Sequence, residues 1–325
     1  MEMITWGIIG CGNVTEVKSG PAFNLVEGSK LVAVMRRNGE KAKEYAMRHQ
    51  VPKWYSDADE LLNDSEINSV YIATPPLYHR EYTIKALRKG LNVYVEKPFT
   101  MNANEAEEIA EVLQHSSGKL VVAHYRRRLP FFLFIKSLLD RKEIGDVLTA
   151  HITMVQTYKP TLVAQSEENW RVIPKISGGG LFHDLSPHQL DLMLYYFGAP
   201  LHQHGFSINQ STYHEADDTV CGEMLFTNGV AFSGMWNFCA PENETKDECT
   251  ILGTKGSVTF PIFGSDIFIR KEDGSEERRH VDHPYHIQQP MIQSVVRYYQ
   301  GLEENPCSID DGIIVMKMID AFTAG

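Results

Sequence analysis

The chain has 325 residues, 43% of them hydrophobic and 22% charged, and carries a formal net charge of −11. That length holds two domains with sizeable buried cores, and the acidic balance argues against nucleic acid or an anionic membrane as a partner, since both need basic patches. Five scattered cysteines (11, 221, 239, 249 and 307) form no C-x-x-C, and no uncharged apolar run reaches membrane-spanning length; with an N-terminus that runs almost directly into a strand and so reads as having no signal peptide, this is the pattern of a reduced, cytoplasmic protein with neither a disulfide framework nor a zinc site.

Ile4 to Ile9 is a short apolar run ending in glycine, as in a buried parallel strand. Gly10-Cys11-Gly12-Asn13-Val14-Thr15 follows, matching the dinucleotide fingerprint G-x-G-x-x-G/A in its first two glycines. Those glycines permit a tight turn and let backbone N–H groups approach a pyrophosphate. Thr15 departs from the fingerprint, where Gly or Ala is usual for close helix–strand packing. A second strand, Leu31 to Met35, follows at βαβ distance.

The alternation continues with a helix over Glu40 to His49, a strand near Lys53 to Tyr55, a helical turn from Ala58 to Asn63, and a strand from Val70 to Ala73 that ends at Thr74-Pro75-Pro76. Tyr78 to Lys89 reads as an amphipathic helix stopped by Gly90. Strands at Val93 to Val95 and Leu120 to Ala123 flank a helix over Asn104 to His115. Strictly alternating elements mean a doubly wound parallel sheet with ligand expected at the carboxyl ends of its strands. Glu96-Lys97-Pro98 sits at such an end, and Thr74 and His79, after the preceding strand, border the same crevice. His79 reads as a surface helix residue. Arg126-Arg127-Arg128, after the last strand, reads either as a solvated face or as guanidinium groups for an anionic part of a substrate.

From about Tyr125 the pattern changes. Pro130 to Arg141 reads as a helix and Val147 to Tyr158 as a long strand. Further strands are expected at Thr219 to Phe226, Val230 to Phe238, Glu248 to Leu252, Ser257 to Phe260 and Ile267 to Arg270, separated by turn signals. A mixed or antiparallel sheet of at least five strands, from about 147 to 282, follows from this. Helices near His286 to Glu303 and Asp310 to Phe322 complete the chain. The domains expected are 1–124, a Rossmann domain, and 125–325, an α+β domain with a large, predominantly antiparallel open sheet, the helix at about 310–323 packing back on the first.

The chemistry concentrates in Gly178-Gly179-Gly180-Leu181-Phe182-His183-Asp184-Leu185-Ser186-Pro187-His188. On one helix, Asp184, His188 and Asp191 share a face, and a carboxylate one turn from an imidazole makes an acid/base pair. Ser186-Pro187 with Gln189 also reads as a capping box that starts a helix at Pro187. The alternative starts it just after Gly180 and carries Pro187 inside. His280, His283 and His286 read as loop and cap residues.

Gly7-Ile8-Ile9-Gly10-Cys11-Gly12, Glu96-Lys97-Pro98 and the triple glycine followed by Asp184 and His188 together resemble the Gfo/Idh/MocA superfamily, named for glucose-fructose oxidoreductase and inositol dehydrogenase. The resemblance spans essentially the whole chain. It implies NAD or NADP in the N-terminal domain and a sugar, cyclitol or related polyol held by the C-terminal one, whose sheet would form a homodimer or homotetramer. It carries the family's Lys, Asp and His onto Lys97, Asp184 and His188, implies a cis peptide before Pro98, and favours a helix that starts within two residues of Leu181 and runs past Pro187.

The implied reaction moves a hydride between nicotinamide and a secondary alcohol or its carbonyl, with no metal. His188 is the candidate acid/base, Lys97 the group that polarises the reacting oxygen, and Asp184 an orienting carboxylate. Gly10, Gly12, Asn13, Val14, Arg36, Arg37, Thr74, Pro75, Glu96 and Lys97 are expected at the cofactor. Aligned on the family pattern, Arg36 stands where an NAD-preferring domain has its acid, so NADP is preferred over NAD. Two other readings are a glycosidase that uses tightly held NAD as a transient oxidant, and a non-catalytic cofactor- and sugar-binding regulator.

Overall fold

Six short strands pair into one parallel sheet: β1 (Ile4–Ile9), β2 (Ser29–Met35), β3 (Lys53–Tyr55), β4 (Ser69–Ile72), β5 (Asn92–Val95) and β6 (Leu120–Val122), in the order β3-β2-β1-β4-β5-β6. The computed structural model describes residues 2–163 and 169–324. By compactness, residues 2–128 with 284–316 form one unit, and 129–163, 169–283 and 317–324 the other. Every neighbouring pair in the first sheet is parallel. Every residue of β4 is buried, because helices cover both faces, and so the strand reads as a continuous apolar run. The strand order reverses between β1 and β4, and open α/β sheets bind ligands at the carboxyl ends flanking such a reversal.

An aromatic series fills one face of this sheet. Trp6 meets Phe23 at 4.8 Å between ring centroids, Phe23 meets Tyr71 at 5.2 Å, and Tyr71 stacks on Tyr94 at 5.2 Å. The helix Gln289–Tyr299 brings Tyr299 to Trp6 at 5.7 Å, and the Tyr299 hydroxyl donates to the Val93 carbonyl at 2.6 Å. Beyond it, the Cys307 carbonyl accepts from the Val122 amide at 3.1 Å, which continues pairing past the edge strand β6.

The second unit holds an eight-stranded sheet: β7 (Val147–Val155), β8 (Pro200–Ile208), β9 (Thr219–Phe226), β10 (Ala231–Asn237), β11 (Lys246–Gly253), β12 (Gly256–Phe260), β13 (Asp266–Lys271) and β14 (Glu276–His280). The order is β14-β13-β12-β11-β7-β10-β9-β8, antiparallel except where β10 runs parallel to β7. The expected mixed sheet of at least five strands is present. Strands β8 and β14 escape the sequence pattern for a physical reason. Proline opens β8, and its outward positions include two histidines, while all five residues of β14 are exposed and every one is charged or histidine.

Gly205 of β8 and Gly222 of β9 lie directly opposite one another, and both make room for Phe322 of the helix Ile309–Thr323; a Cβ on Gly222 would enter its ring. The other face of the sheet exposes Phe206, Met235, Leu252 and Phe268, a run of apolar side chains brought into one surface by the strand register. No helix among the described residues is long and apolar enough to cross a membrane.

Candidate active site

In the first unit the candidate residues gather at the β1/β4 reversal. Gly10 has φ +94°, and a Cβ there would lie 2.8 Å from both the Thr74 amide nitrogen and its methyl group. The turn after β1 is thus pressed against the turn after β4, and only glycine allows it. Around Gly12, by contrast, a Cβ would meet nothing nearer than the Gly10 carbonyl at 3.8 Å, which leaves open space beside the loop. The Thr74 hydroxyl oxygen is buried without a hydrogen-bond partner among the described residues. An open glycine face beside a buried hydroxyl that lacks a partner fits a dinucleotide pyrophosphate.

Thr15, the departure from the fingerprint, has a structural account. It is fully buried, its hydroxyl accepts the Gly12 amide at 3.0 Å and donates to the Gly12 carbonyl at 2.8 Å, and its carbonyl accepts from Tyr45 at 2.8 Å. Gly or Ala could make none of the hydroxyl bonds that close this turn. Asn13 is exposed and Val14 half-buried in the short helix Asn13–Val17 that follows. At the end of β2, Arg37 donates to the Tyr78 hydroxyl at 3.2 Å and lies over its ring at 4.8 Å. The half-buried Arg36 guanidinium has no hydrogen bond or ion pair among the described residues.

Glu96, after β5, is buried. Its Oε1 accepts from the Tyr71 hydroxyl at 2.5 Å and from Gln288 Nε2 at 2.6 Å, while Oε2 accepts the Lys97 amide at 3.1 Å. Burial first, and the adjacent carboxylate second, push Tyr71 well above the usual tyrosine range, so it stays a donor. Lys97 is half-buried and its bond to Pro98 is cis, as the resemblance implies.

Two expectations in this unit are corrected. His79 is no surface residue: it is fully buried, with Nε2 2.7 Å from the Thr74 carbonyl and Nδ1 3.0 and 3.2 Å from those of Pro98 and Phe99. The arginine run is no solvated face either. Arg126 and Arg127 are buried, Arg127 pairs with Asp311 at 3.2 Å, and Arg128 donates to Ser294 at 3.0 Å. These contacts join the first 128 residues to 284–316 within the same unit. Buried between charges there is also His124, pushed down to about 3 by burial and by Arg127, and therefore neutral.

In the second unit, one helix runs unbroken over Leu181–Phe197 with Pro187 inside, so the capping-box alternative is excluded. Gly178 (φ +94°) ends the preceding helix Pro174–Ser177, and Gly180 (φ +87°) opens this one. Between them the His183 ring lies on Gly179, where any Cβ would strike it. Each of the three glycines therefore has its own steric reason. Burial pushes His183 down to about 4 and keeps it neutral.

The helix is buried on every side through Leu194, polar positions included: Asp184, His188 and Asp191 are 8%, 5% and 1% exposed. Asp184 Oδ2 accepts from Arg171 Nε at 3.0 Å, and Arg171 lies over Trp170 at 4.3 Å. His188 sets its ring edge-on to Phe263 at 5.7 Å. The Asp247 carboxylate accepts the Ile262 and Phe263 amides at 3.1 and 2.7 Å, fixing the turn that carries Phe263. Arg171 escaped the sequence reading because it lies in a stretch without periodicity, 13 residues before its partner. Of the late histidines, His280 ends β14 rather than lying in a loop, whereas His283 and His286 bond to the Gly264 and Val17 carbonyls.

Removing one partner of a buried ion pair strands the other charge, at a cost of about 3–5 kcal/mol. Arg171→Gln should therefore lower stability by about that amount in urea titration, with part recovered when Asp184→Asn is added. A loss below about 1 kcal/mol, the worth of an exposed pair, would mean that water reaches this pair in solution.

Comparison with known proteins agrees with this architecture. A model of the oxidoreductase family with an NAD-binding Rossmann fold matches residues 4–124, and the GFO/IDH/MocA C-terminal domain matches residues 132–259. Oxidoreductase P35 of Formosa agariphila is 49% identical over 319 residues, which is 98% of each chain. The 1,5-anhydro-D-fructose reductase of Ensifer adhaerens is 25% identical over 86% of this chain and 81% of its own. A levoglucosan dehydrogenase solved with NADH and levoglucosan superposes with a TM-score of 0.85 at 21% identity, over 99% of this chain and 96% of that one. With both halves matched and a full-length relative at nearly half identity, the chain belongs to the Gfo/Idh/MocA family of NAD(P)-binding oxidoreductases.

Proposed function

We propose that the protein transfers a hydride between the nicotinamide of NADP or NAD and a secondary alcohol, or the corresponding carbonyl, of a sugar, cyclitol or related polyol. The observation that carries this is the position of Lys97: directly after β5, beside the strand reversal, on a turn whose preceding carboxylate is held by three donors. Relatives named for 1,5-anhydro-D-fructose and levoglucosan support a sugar-like substrate. The functional division proposed is 1–124 for cofactor and 125–325 for substrate.

The cofactor, when bound, supplies the hydride chemistry. The glycine loop at Gly10 and Gly12, with Asn13, Val14 and the Thr74 hydroxyl, would hold its pyrophosphate; Arg36 and Arg37 its adenosine end; Pro75 and Glu96 the nicotinamide side. The Lys97 ammonium donates to the reacting oxygen and stabilises negative charge developing there. His188 takes the hydroxyl proton during oxidation and returns it during reduction. Asp184, held by Arg171, accepts from a substrate hydroxyl and fixes its orientation. The exposed apolar surface of the eight-stranded sheet supports self-association into a homodimer or homotetramer.

A panel of polyols, aldoses, anhydrosugars and uronates with each cofactor, followed at the nicotinamide absorbance, tests the reaction; no turnover with any of them would overturn it. His188→Ala should lower kcat by about 10²- to 10⁴-fold, the usual worth of a general acid/base, while the Kd for cofactor holds. Near-normal turnover would remove His188 from the chemistry. Charge-assisted bonds from Arg36 to a 2′-phosphate, on the order of 1.5–3 kcal/mol each, should give NADPH a preference of about tenfold or more over NADH, and Arg36→Asp should abolish it. Tighter binding of NADH by the unmodified protein would leave Arg36 without this role. Light scattering at micromolar concentration should give the mass of a dimer or tetramer, and a monomer would refute association through the sheet.

A further inference from the structure

His79 opens the helix His79–Arg88, and nothing in the proposed reaction uses it. Its ring is fully buried, and each nitrogen faces carbonyl oxygen: Thr74 on one side at 2.7 Å, Pro98 and Phe99 on the other at 3.0 and 3.2 Å. Thr74 follows β4, and Pro98 and Phe99 follow β5. One rigid ring therefore spans the two turns on which Thr74 and Lys97 stand. A carbonyl only accepts and a neutral imidazole carries one N–H, so the uncharged ring donates to one turn at a time and packs against the other, while the imidazolium donates to both. Burial pushes the His79 pKa down, while the carbonyls and the Glu96 carboxylate act in the opposite sense.

The consequence for Lys97 comes from its two neighbours in the chain. On one side Glu96 is fixed by Tyr71, Gln288 and the Lys97 amide. On the other, the Pro98 carbonyl lies against His79 Nδ1 at 3.0 Å. The root of the half-buried lysine side chain is thus anchored from both directions. We propose that His79 is a positioning residue for Lys97, tying the turn after β4 to the turn after β5 so that the ammonium and the Thr74 hydroxyl keep a fixed separation.

This rests on the reading of Lys97 as the group that polarises the reacting oxygen, and the test separates the two. Phenylalanine fills the space of the ring but donates nothing, whereas glutamine keeps a side-chain donor. A displacement of about 1 Å costs on the order of 10²-fold in rate. With levoglucosan, or whichever alcohol of the panel turns over fastest, His79→Phe should lower kcat by about that factor with KM changed far less, and His79→Gln should restore part of the loss. The decisive measurement is a double-mutant cycle. In a Lys97→Ala background, His79→Phe should cost no more than about twofold, because there is no ammonium left to misplace. An equal loss in both backgrounds would make His79 a general structural residue, and near-normal kcat for His79→Phe would remove it altogether; either overturns the proposal. If His79→Phe does not fold by circular dichroism, His79→Gln takes its place in the cycle, and the same two outcomes decide. Lys97→Ala alone reports on the underlying reading: full activity there would refute the role of Lys97 itself, whatever the cycle gives.

Discussion

The carboxylate of Glu96, buried just past the end of β5, governs the carboxyl edge of the first sheet. An unpaired carboxylate in such a place would cost several kcal/mol, so its donors are obligatory rather than incidental. Two of them belong to the core. Tyr71 is a rung of the aromatic series under the sheet, and Gln288, itself bonded to Tyr94 at 3.2 Å, immediately precedes the helix Gln289–Tyr299. The third is the Lys97 amide. Hydrophobic packing thereby reaches the turn after β5 through a short polar relay: aromatic rings place two donors, the donors fix a carboxylate, and the carboxylate orients the backbone of the lysine.

The second unit solves a different problem. Its central helix is enclosed on all sides yet carries Asp184, His188 and Asp191. Burial of polar groups is tolerable when each is matched, and Arg171 does this for Asp184 with a charge-assisted bond. Gln189 does the same on another face by accepting from Trp236 at 2.6 Å. Pro187 removes an amide from the helix interior, so the His183 carbonyl lacks its usual partner there. The family's spacing of Asp184 and His188 survives because the helix continues through that proline.

Much of this was legible in the residues. Strictly alternating apolar runs and helices could only be a parallel sheet, and the fingerprint glycines marked its ligand edge. The triple glycine announced a steric constraint, although the sequence could not say that one glycine yields to a histidine ring. What stayed hidden shares a cause: it depends on partners distant in the chain. Arg126 and Arg127 look like a surface patch until Asp311 is placed beside Arg127. His79 looks like an exposed helical residue until three carbonyls from two turns converge on it. Strands β8 and β14 carry too little apolar pattern to declare themselves, and pair because their neighbours offer an open edge.

The glycine floor beneath Phe322 bears on when this protein can fold. Gly205 and Gly222 leave a bare patch on the strands, and the ring that covers it is translated about a hundred residues later. The first unit is interrupted in the same way, since Trp6 awaits Tyr299 and Val122 awaits Cys307. Domains of multidomain proteins commonly fold in turn as they leave the ribosome, N-terminal first. Here neither unit is complete until residues near 316 and 322 have emerged, so a nascent chain exposes unfinished apolar surface until then. Final assembly of both units waits for those residues, and the interval before it is when chaperones have the most to hold.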